Sequence, residues 1–203
     1  MRIQRFATLL LAAVAALAVA AQTPQQMLDR AIAALGGTAV SANYRLSGSQ
    51  GTTSGSIVMS GNKFRLTSSD VKCWYDGSTM WSYSSAIGEV NVTTPTSSDL
   101  QTTCPMAAAQ GFKRNFNMWK AKGQIPGNYA ILLEPKKKND IYKVYLYIST
   151  SSNLLTQAHF VMSDGSKFTI KLTGYKTGVA TSAATFRFDK SMVPAGTPVV
   201  DLR

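Results

Sequence analysis

The chain has 203 residues, with 21 Lys and Arg against 10 Asp and Glu, a formal charge of +11, a single histidine and two cysteines. A length of this order supports one ordinary domain with its own core. The basic excess is spread singly between apolar residues, as at Lys63, Arg65, Lys167 and Lys171, which reads as solvated strand faces and argues against nucleic acid as a partner. The one run of cations, Lys136, Lys137 and Lys138, falls in a turn-like stretch, residues 135–140.

Residues 1–21 carry Arg2 and Arg5, then an apolar run over residues 6–19, then Ala20 and Ala21 before Gln22. This is the layout of a secretory signal peptide, and the apolar run is short for a membrane span. Loss of Arg2 and Arg5 lowers the formal charge from +11 to +9. No Cys follows the cleavage region, so the expectation is an exported, soluble chain without its own lipid anchor, with residues 22–203 forming a single domain.

A short helix opens that domain. Thr23 and Gln26 are spaced as a capping box, Pro24 suits the first helical position, and Leu28, Ala31, Ile32 and Leu35 make one apolar stripe before Gly36 and Gly37. The period then changes to two. Tyr44 and Leu46, Ile57 and Met59, and Phe64 and Leu66 alternate with polar or basic residues, as expected of short antiparallel strands. Residues 73–95 read as three strands and two tight turns. Asp76-Gly77, flanked by Trp74, Tyr75, Trp81 and Tyr83, signals a hairpin with a primed turn. Thr94-Pro95 breaks the sheet, Ser98 and Gln101 are spaced as a second capping box, and a short Ala-rich helical segment interrupted at Pro105 runs to about Ala109.

Strands are expected again over residues 129–134, 141–148, 154–162, 167–175 and 185–188. Absence of strand–helix alternation makes the sheet antiparallel. Ten or eleven strands then present one apolar face, including Tyr142, Val144, Phe186 and Phe188, with two short helices to cover it. A sheet this long curls, and with so thin a cover it encloses either an apolar cavity or a barrel packed solid with its own side chains.

Chemistry is sparsely encoded. His159 alternates with Ala158 and Phe160 and reads as a solvent-facing strand residue; there is no nucleophile motif, metal-binding motif or phosphate loop. Neither enzymatic activity, a cofactor nor a metal is expected.

The order Lys63-Phe64-Arg65-Leu66, Trp74-Tyr75-Asp76-Gly77, Met80-Trp81-Ser82-Tyr83, Glu89-Val90-Asn91-Val92 before Thr94-Pro95-Thr96, and terminal Val199-Val200-Asp201-Leu202-Arg203 resembles the periplasmic outer-membrane lipoprotein carrier family, LolA. The resemblance implies a mainly β, α+β fold: a curved, half-open antiparallel β-barrel with a helical lid over an apolar cavity. It implies a monomeric periplasmic carrier that binds acylated lipoproteins, receives them from an inner-membrane lipoprotein-releasing transporter and delivers them to an outer-membrane acceptor or the outer membrane itself. A lipid- or lipoprotein-sensing module of envelope-stress signalling is the alternative.

On this reading Phe64, Leu66, Tyr75, Leu146, Ile148, Ala158, Phe160, Phe168, Ile170 and Leu172 line the acyl-chain cavity, and Met106, Ala107 and Ala109 belong to the lid. The family's lid-latching Arg is missing from Ser60-Gly61-Asn62-Lys63. Cys73 and Cys104, an even pair in an exported chain, are a disulfide candidate that would tie lid to wall, the other possibility being two free buried thiols.

Overall fold

In the computed structural model, which describes residues 22–49, 51–123 and 125–203, Thr23 caps helix α1 (Pro24–Gly36). Its hydroxyl accepts from Gln26 N at 3.2 Å while Gln26 Oε1 accepts from Thr23 N at 3.0 Å, the reciprocal box that the sequence spells out. The expected signal peptide, residues 1–21, lies outside the described residues.

Twelve strands follow in one sheet: β1 (Val40–Gly48), β2 (Gly51–Ser60), β3 (Lys63–Ser68), β4 (Val71–Tyr75), β5 (Met80–Ser84), β6 (Glu89–Thr93), β7 (Phe116–Lys120), β8 (Asn128–Pro135), β9 (Ile141–Ser149), β10 (Leu155–Met162), β11 (Lys167–Thr177) and β12 (Val199–Asp201). Their order is β12-β6-β5-β4-β3-β2-β1-β11-β10-β9-β8-β7. The sheet is open, with β12 and β7 at its edges, and forms a half-open barrel. All neighbours run antiparallel except β12 beside β6, so the purely antiparallel expectation fails at this one edge.

The central aromatic hairpin divides its residues between two sides. Cys73, Tyr75 and Met80 join the main core on the inner face, whereas Trp74, Tyr83 and Val90 form a second cluster on the outer face with Phe188, Met192 and Val193. Trp74 meets Phe188 edge-on at 5.4 Å between ring centroids. The C-terminal segment that supplies this cover is not a strand at residues 185–188. It makes two 3₁₀ turns, Ala183–Phe186 and Lys190–Met192, which set Phe188, Met192 and Val193 against the outer face instead of pairing with the sheet.

Several local readings shift in register. The Asp76 turn spans four residues: Tyr75 pairs with Met80, and Asp76 Oδ1 accepts from Ser78 N and Thr79 N, both at 3.0 Å, so a carboxylate-closed turn replaces the two-residue primed turn. Helix α2 (Ser97–Thr103) is capped by Thr96 with Asp99, two residues before the expected Ser98 and Gln101. Beyond the bend at Pro105 a third helix, α3 (Ala109–Asn115), continues into β7, two elements that the alternation-based reading left out. Tyr142 is exposed rather than inward, because a bulge opposite Val161 and Met162 leaves it as the extra residue of β9 and turns Ile141 inward in its place.

Helices α1 and α3 pack on each other, and α1 reaches β7, β8 and β9 as well as β2. They bury Phe112 and Phe116, whose rings meet edge-on at 5.1 Å. Helix α2 has α3 as its neighbour. Cover is therefore dense over one half of the sheet and thin over the other.

Candidate ligand cavity

The inner face of the sheet is filled unevenly. Over the half covered by α1 and α3, Leu146, Ile148, Ala158 and Phe160 are packed solid, as are Phe64 and Tyr75, whose rings lie 5.5 Å apart. These six residues, expected to line a cavity, belong to the main core. The displacement has a simple cause: the two helices insert Met27, Leu28, Ala31 and Phe112, and the start of β7 adds Phe116, so that together they occupy the space over the sheet.

A cavity of about 650 Å³ remains between α2, the Cys104–Met106 bend and the inner faces of β1 to β5 and β11. Leu66, Phe168, Ile170, Leu172 and Met106 line it, together with Cys73 and Cys104. Ala107 and Ala109 instead border a smaller recess of about 170 Å³ with Ile32 and Leu35, to which Met106 also contributes. Phe168 lies at the boundary between the solid half and the cavity, stacked on Phe160 with centroids 4.7 Å apart and planes 12° from parallel.

Sequence reasoning missed Leu46, Ile57, Met59, Val71 and Met80 as lining residues. The signal was present at Leu46, which lies two residues beyond Tyr44 on the same face of one strand. Leu46 and Val71 remain 37% and 39% exposed although they point to the inner side, so the cavity wall offers apolar surface that no helix covers. Polar side chains at the cavity, among them Ser82, Thr53, Thr102 and Thr103, are uncharged, and Asp164 stands in the β10–β11 turn with its carboxylate accepting from Ser166 N at 2.8 Å. Lys167, exposed like Asp164, is the other charged residue bordering the cavity, so the charges stand at its edge while the wall itself suits an apolar ligand portion.

The expected disulfide is not formed. Cys73 and Cys104 are free, buried thiols; Cys73 Sγ lies 3.7 Å from Ser82 Oγ on the neighbouring strand. Burial pushes the Cys73 thiol up to about 11, opposed by the Ser82 hydrogen bond. Burial likewise pushes Cys104 up to about 12, and the Ala107 backbone N–H opposes it. Both are held as neutral thiols near pH 7, poor nucleophiles that contribute small apolar volume to the lining.

No Arg latch is replaced by a covalent one, and the helices are held by weaker ties. Lys113 Nζ meets Asp29 Oδ1 at 2.8 Å between α3 and α1, an exposed pair worth roughly 0–1 kcal/mol. Ser98 Oγ donates to Asn139 Oδ1 at 3.3 Å, joining α2 to the β8–β9 turn. In that turn Lys136 Nζ donates to Arg114 O at 2.9 Å, so the first residue of the cationic run secures the end of α3. Gln101, 1% exposed, faces α3 from α2 with both side-chain polar atoms unpaired.

His159 is half-buried on the outer face, with Nδ1 2.9 Å from Thr169 Oγ1. Burial and then Lys167 lower its pKa. Among the described residues no group of three or more His, Cys, Asp and Glu is placed to hold a metal ion, and no helix is long and apolar enough to cross a membrane.

The family model described as "Outer membrane lipoprotein carrier protein LolA" matches residues 14–166. No curated protein matches the chain. Among solved structures, an uncharacterised conserved protein from Thermus thermophilus is 14% identical and superposes with a TM-score of 0.58 over 87% of this chain and 98% of the other. A LolA superfamily protein from Nitrosomonas europaea is 11% identical, with a TM-score of 0.46 over 83% of this chain and 99% of the other. A putative outer membrane lipoprotein-sorting protein domain from Vibrio parahaemolyticus, 11% identical, gives 0.45 over 80% and 95%. At these identities the likeness is one of fold, and of these three it is the Thermus protein that supports it.

Proposed function

The chain belongs to the outer membrane lipoprotein carrier (LolA) family, and on that premise we propose that its cavity receives the acyl chains of lipoproteins and that the protein escorts them through the periplasm between the inner and outer membranes. The observation that carries this reading is the 650 Å³ cavity with uncovered Leu46 and Val71 on its wall. Acyl chains left in water cost roughly 0.8 kcal/mol per exposed CH₂. A thinly roofed apolar cavity offsets that cost and still opens to release its contents. The work is binding and release, without covalent chemistry. A releasing transporter in the inner membrane and an acceptor at the outer membrane would supply and take up the cargo.

Leu46→Glu tests the assignment. The side chain is already more than a third exposed, so the fold should tolerate the change, while a carboxylate in the wall penalises an apolar ligand. Binding of a purified acylated lipoprotein should weaken at least tenfold relative to Lys190→Gln, the same one-unit charge change on the exposed C-terminal segment. Equal binding by the two folded variants would remove the cavity from the mechanism.

A further inference from the structure

The outer face of the barrel carries a charge distribution that lipoprotein binding does not use. Six neighbouring strands, β9-β10-β11-β1-β2-β3, contain Lys143, Lys167, Lys171, Lys176, Arg45, Lys63 and Arg65 and not one Asp or Glu. Carboxylates are confined to their turns, as at Asp140 and Asp164. Residues 144, 146, 158, 160, 170 and 172 point to the core, so the alternate positions face out.

The register groups these outward residues. Arg45 lies directly opposite Lys171, Lys171 opposite Gln157, and Gln157 opposite Tyr147. Val161 stands between Lys143 and Lys167. Arg45, Lys167 and Lys171 are exposed, and among the described residues the three ion pairs, Lys113–Asp29, Arg187–Asp76 and Arg203–Asp201, all lie elsewhere. Like charges directly across a strand pair destabilise the sheet. Arg45 and Lys171 keep that arrangement with no protein anion beside them. The positive field also reaches His159, where Lys167 adds to burial in disfavouring the charged ring.

We propose that this carboxylate-free outer face, centred on Arg45, Lys143, Lys167 and Lys171, docks the protein on an anionic membrane surface through lipid phosphate headgroups. Charge complementarity points to an anion. The make-up of the face points to a membrane: its outward positions hold Thr, Ser, Gln, half-buried Tyr145 and Tyr147 and, at the start of β9, the exposed Tyr142 among the cations, amphipathic rings suited to a headgroup layer, with no exposed Leu, Ile, Phe or Trp to anchor a protein partner. Lys143 Nζ lies 5.8 Å from the Tyr145 ring centroid and 5.4 Å from that of Tyr142, which places aromatic and cationic groups together as at a headgroup layer. Arg45, Lys143 and Lys171 lie across the sheet from the cavity lining, and Lys167 stands at the cavity's edge beside Phe168.

Vesicle cosedimentation of the whole protein tests this. At low ionic strength the protein should partition onto phosphatidylcholine vesicles that contain phosphatidylglycerol and not onto phosphatidylcholine alone, and high salt should abolish the binding. Each basic residue near such a surface contributes about a fivefold change in partition, so Arg45→Gln with Lys171→Gln should weaken it about 25-fold. Lys143→Gln with Lys167→Gln should do the same, and Lys190→Gln on the C-terminal segment should leave it unchanged. Absence of phosphatidylglycerol-dependent binding, or an equal loss from Lys190→Gln, overturns the proposal. So does retention of the protein on an acidic polypeptide without any vesicle binding, which would give the face to an acidic protein.

Discussion

Leu46 and Cys73 illustrate how single positions decide what the inner face does. Leu46 alternates along β1 like any core residue, yet no helix reaches it, so its side chain becomes cavity wall. Cys73 sits across the same cavity in a pocket dry enough to hold its proton. The pH consequence has a definite sign. The unfolded thiol titrates near 8.5, whereas the folded thiols are raised to about 11 and about 12 by burial. Between those values the unfolded chain binds fewer protons than the native one, so stability is fully present below about pH 8.5 and is lost as pH rises toward 11. Replacing both cysteines by Ala should flatten that alkaline slope. Alkylation of the native protein at pH 7 should be slow, and denaturation without reductant should release two titratable thiols; a native protein that consumes reagent at once would contradict the burial.

At the scale of elements, α2 is the piece set apart from the core. Its cap is sound, with Thr96 Oγ1 accepting from Asp99 N at 3.1 Å, but its buried Gln101 has no partner, and Gly111 on α3 leaves room for it: a Cβ there would come within 2.9 Å of Gln101 Nε2. An unsatisfied buried amide costs about 1–3 kcal/mol. Gln101→Leu should therefore stabilise the protein by an amount of this order, read as a rise in Tm, and should slow ligand entry if α2 moves to admit it; a fall in Tm would mean that Gln101 finds a partner. Gly55 on β2 is the counterpart in the sheet. A Cβ at this position would overlap the Thr67 carbonyl oxygen and approach Tyr44 Cε1 to 2.7 Å, so Gly55→Ala should destabilise by about 1–3 kcal/mol and shift the cavity-lining Tyr44 ring, measured by denaturant unfolding.

Legibility differed among elements for physical reasons. Helix α1 and strands β1 to β6 carry their own capping, alternation and turn residues, so they can be read locally. Helix α3 and β7 meet head to tail, with Ala109, Phe112 and Phe116 helically spaced and Phe116 and Met118 alternating, and the change of period hid both. The Phe186 and Phe188 segment has strand-like composition, but its role as cover for Trp74 depends on contacts distant in sequence. The same limit applied to the cavity. The apolar face was visible residue by residue, whereas which half would be filled depended on the lateral placement of α1 and α3 over β7 to β9, a tertiary fact that alternation does not encode.

For the whole molecule, the open sheet separates two surfaces: an apolar inner face, part filled and part cavity, and a polar outer face, part covered by the C-terminal segment and part basic. Of the residues assigned to surface docking, Lys167 alone borders the cavity proposed for cargo. The central claim is that the cavity holds acyl chains, and native mass spectrometry of the protein purified from its native source addresses it most directly. The wild-type protein should retain mass belonging to acylated lipoprotein or its acyl chains, and Leu46→Glu should come through largely empty. A wild-type protein that is empty, and stays empty after incubation with excess acylated lipoprotein, would contradict the account.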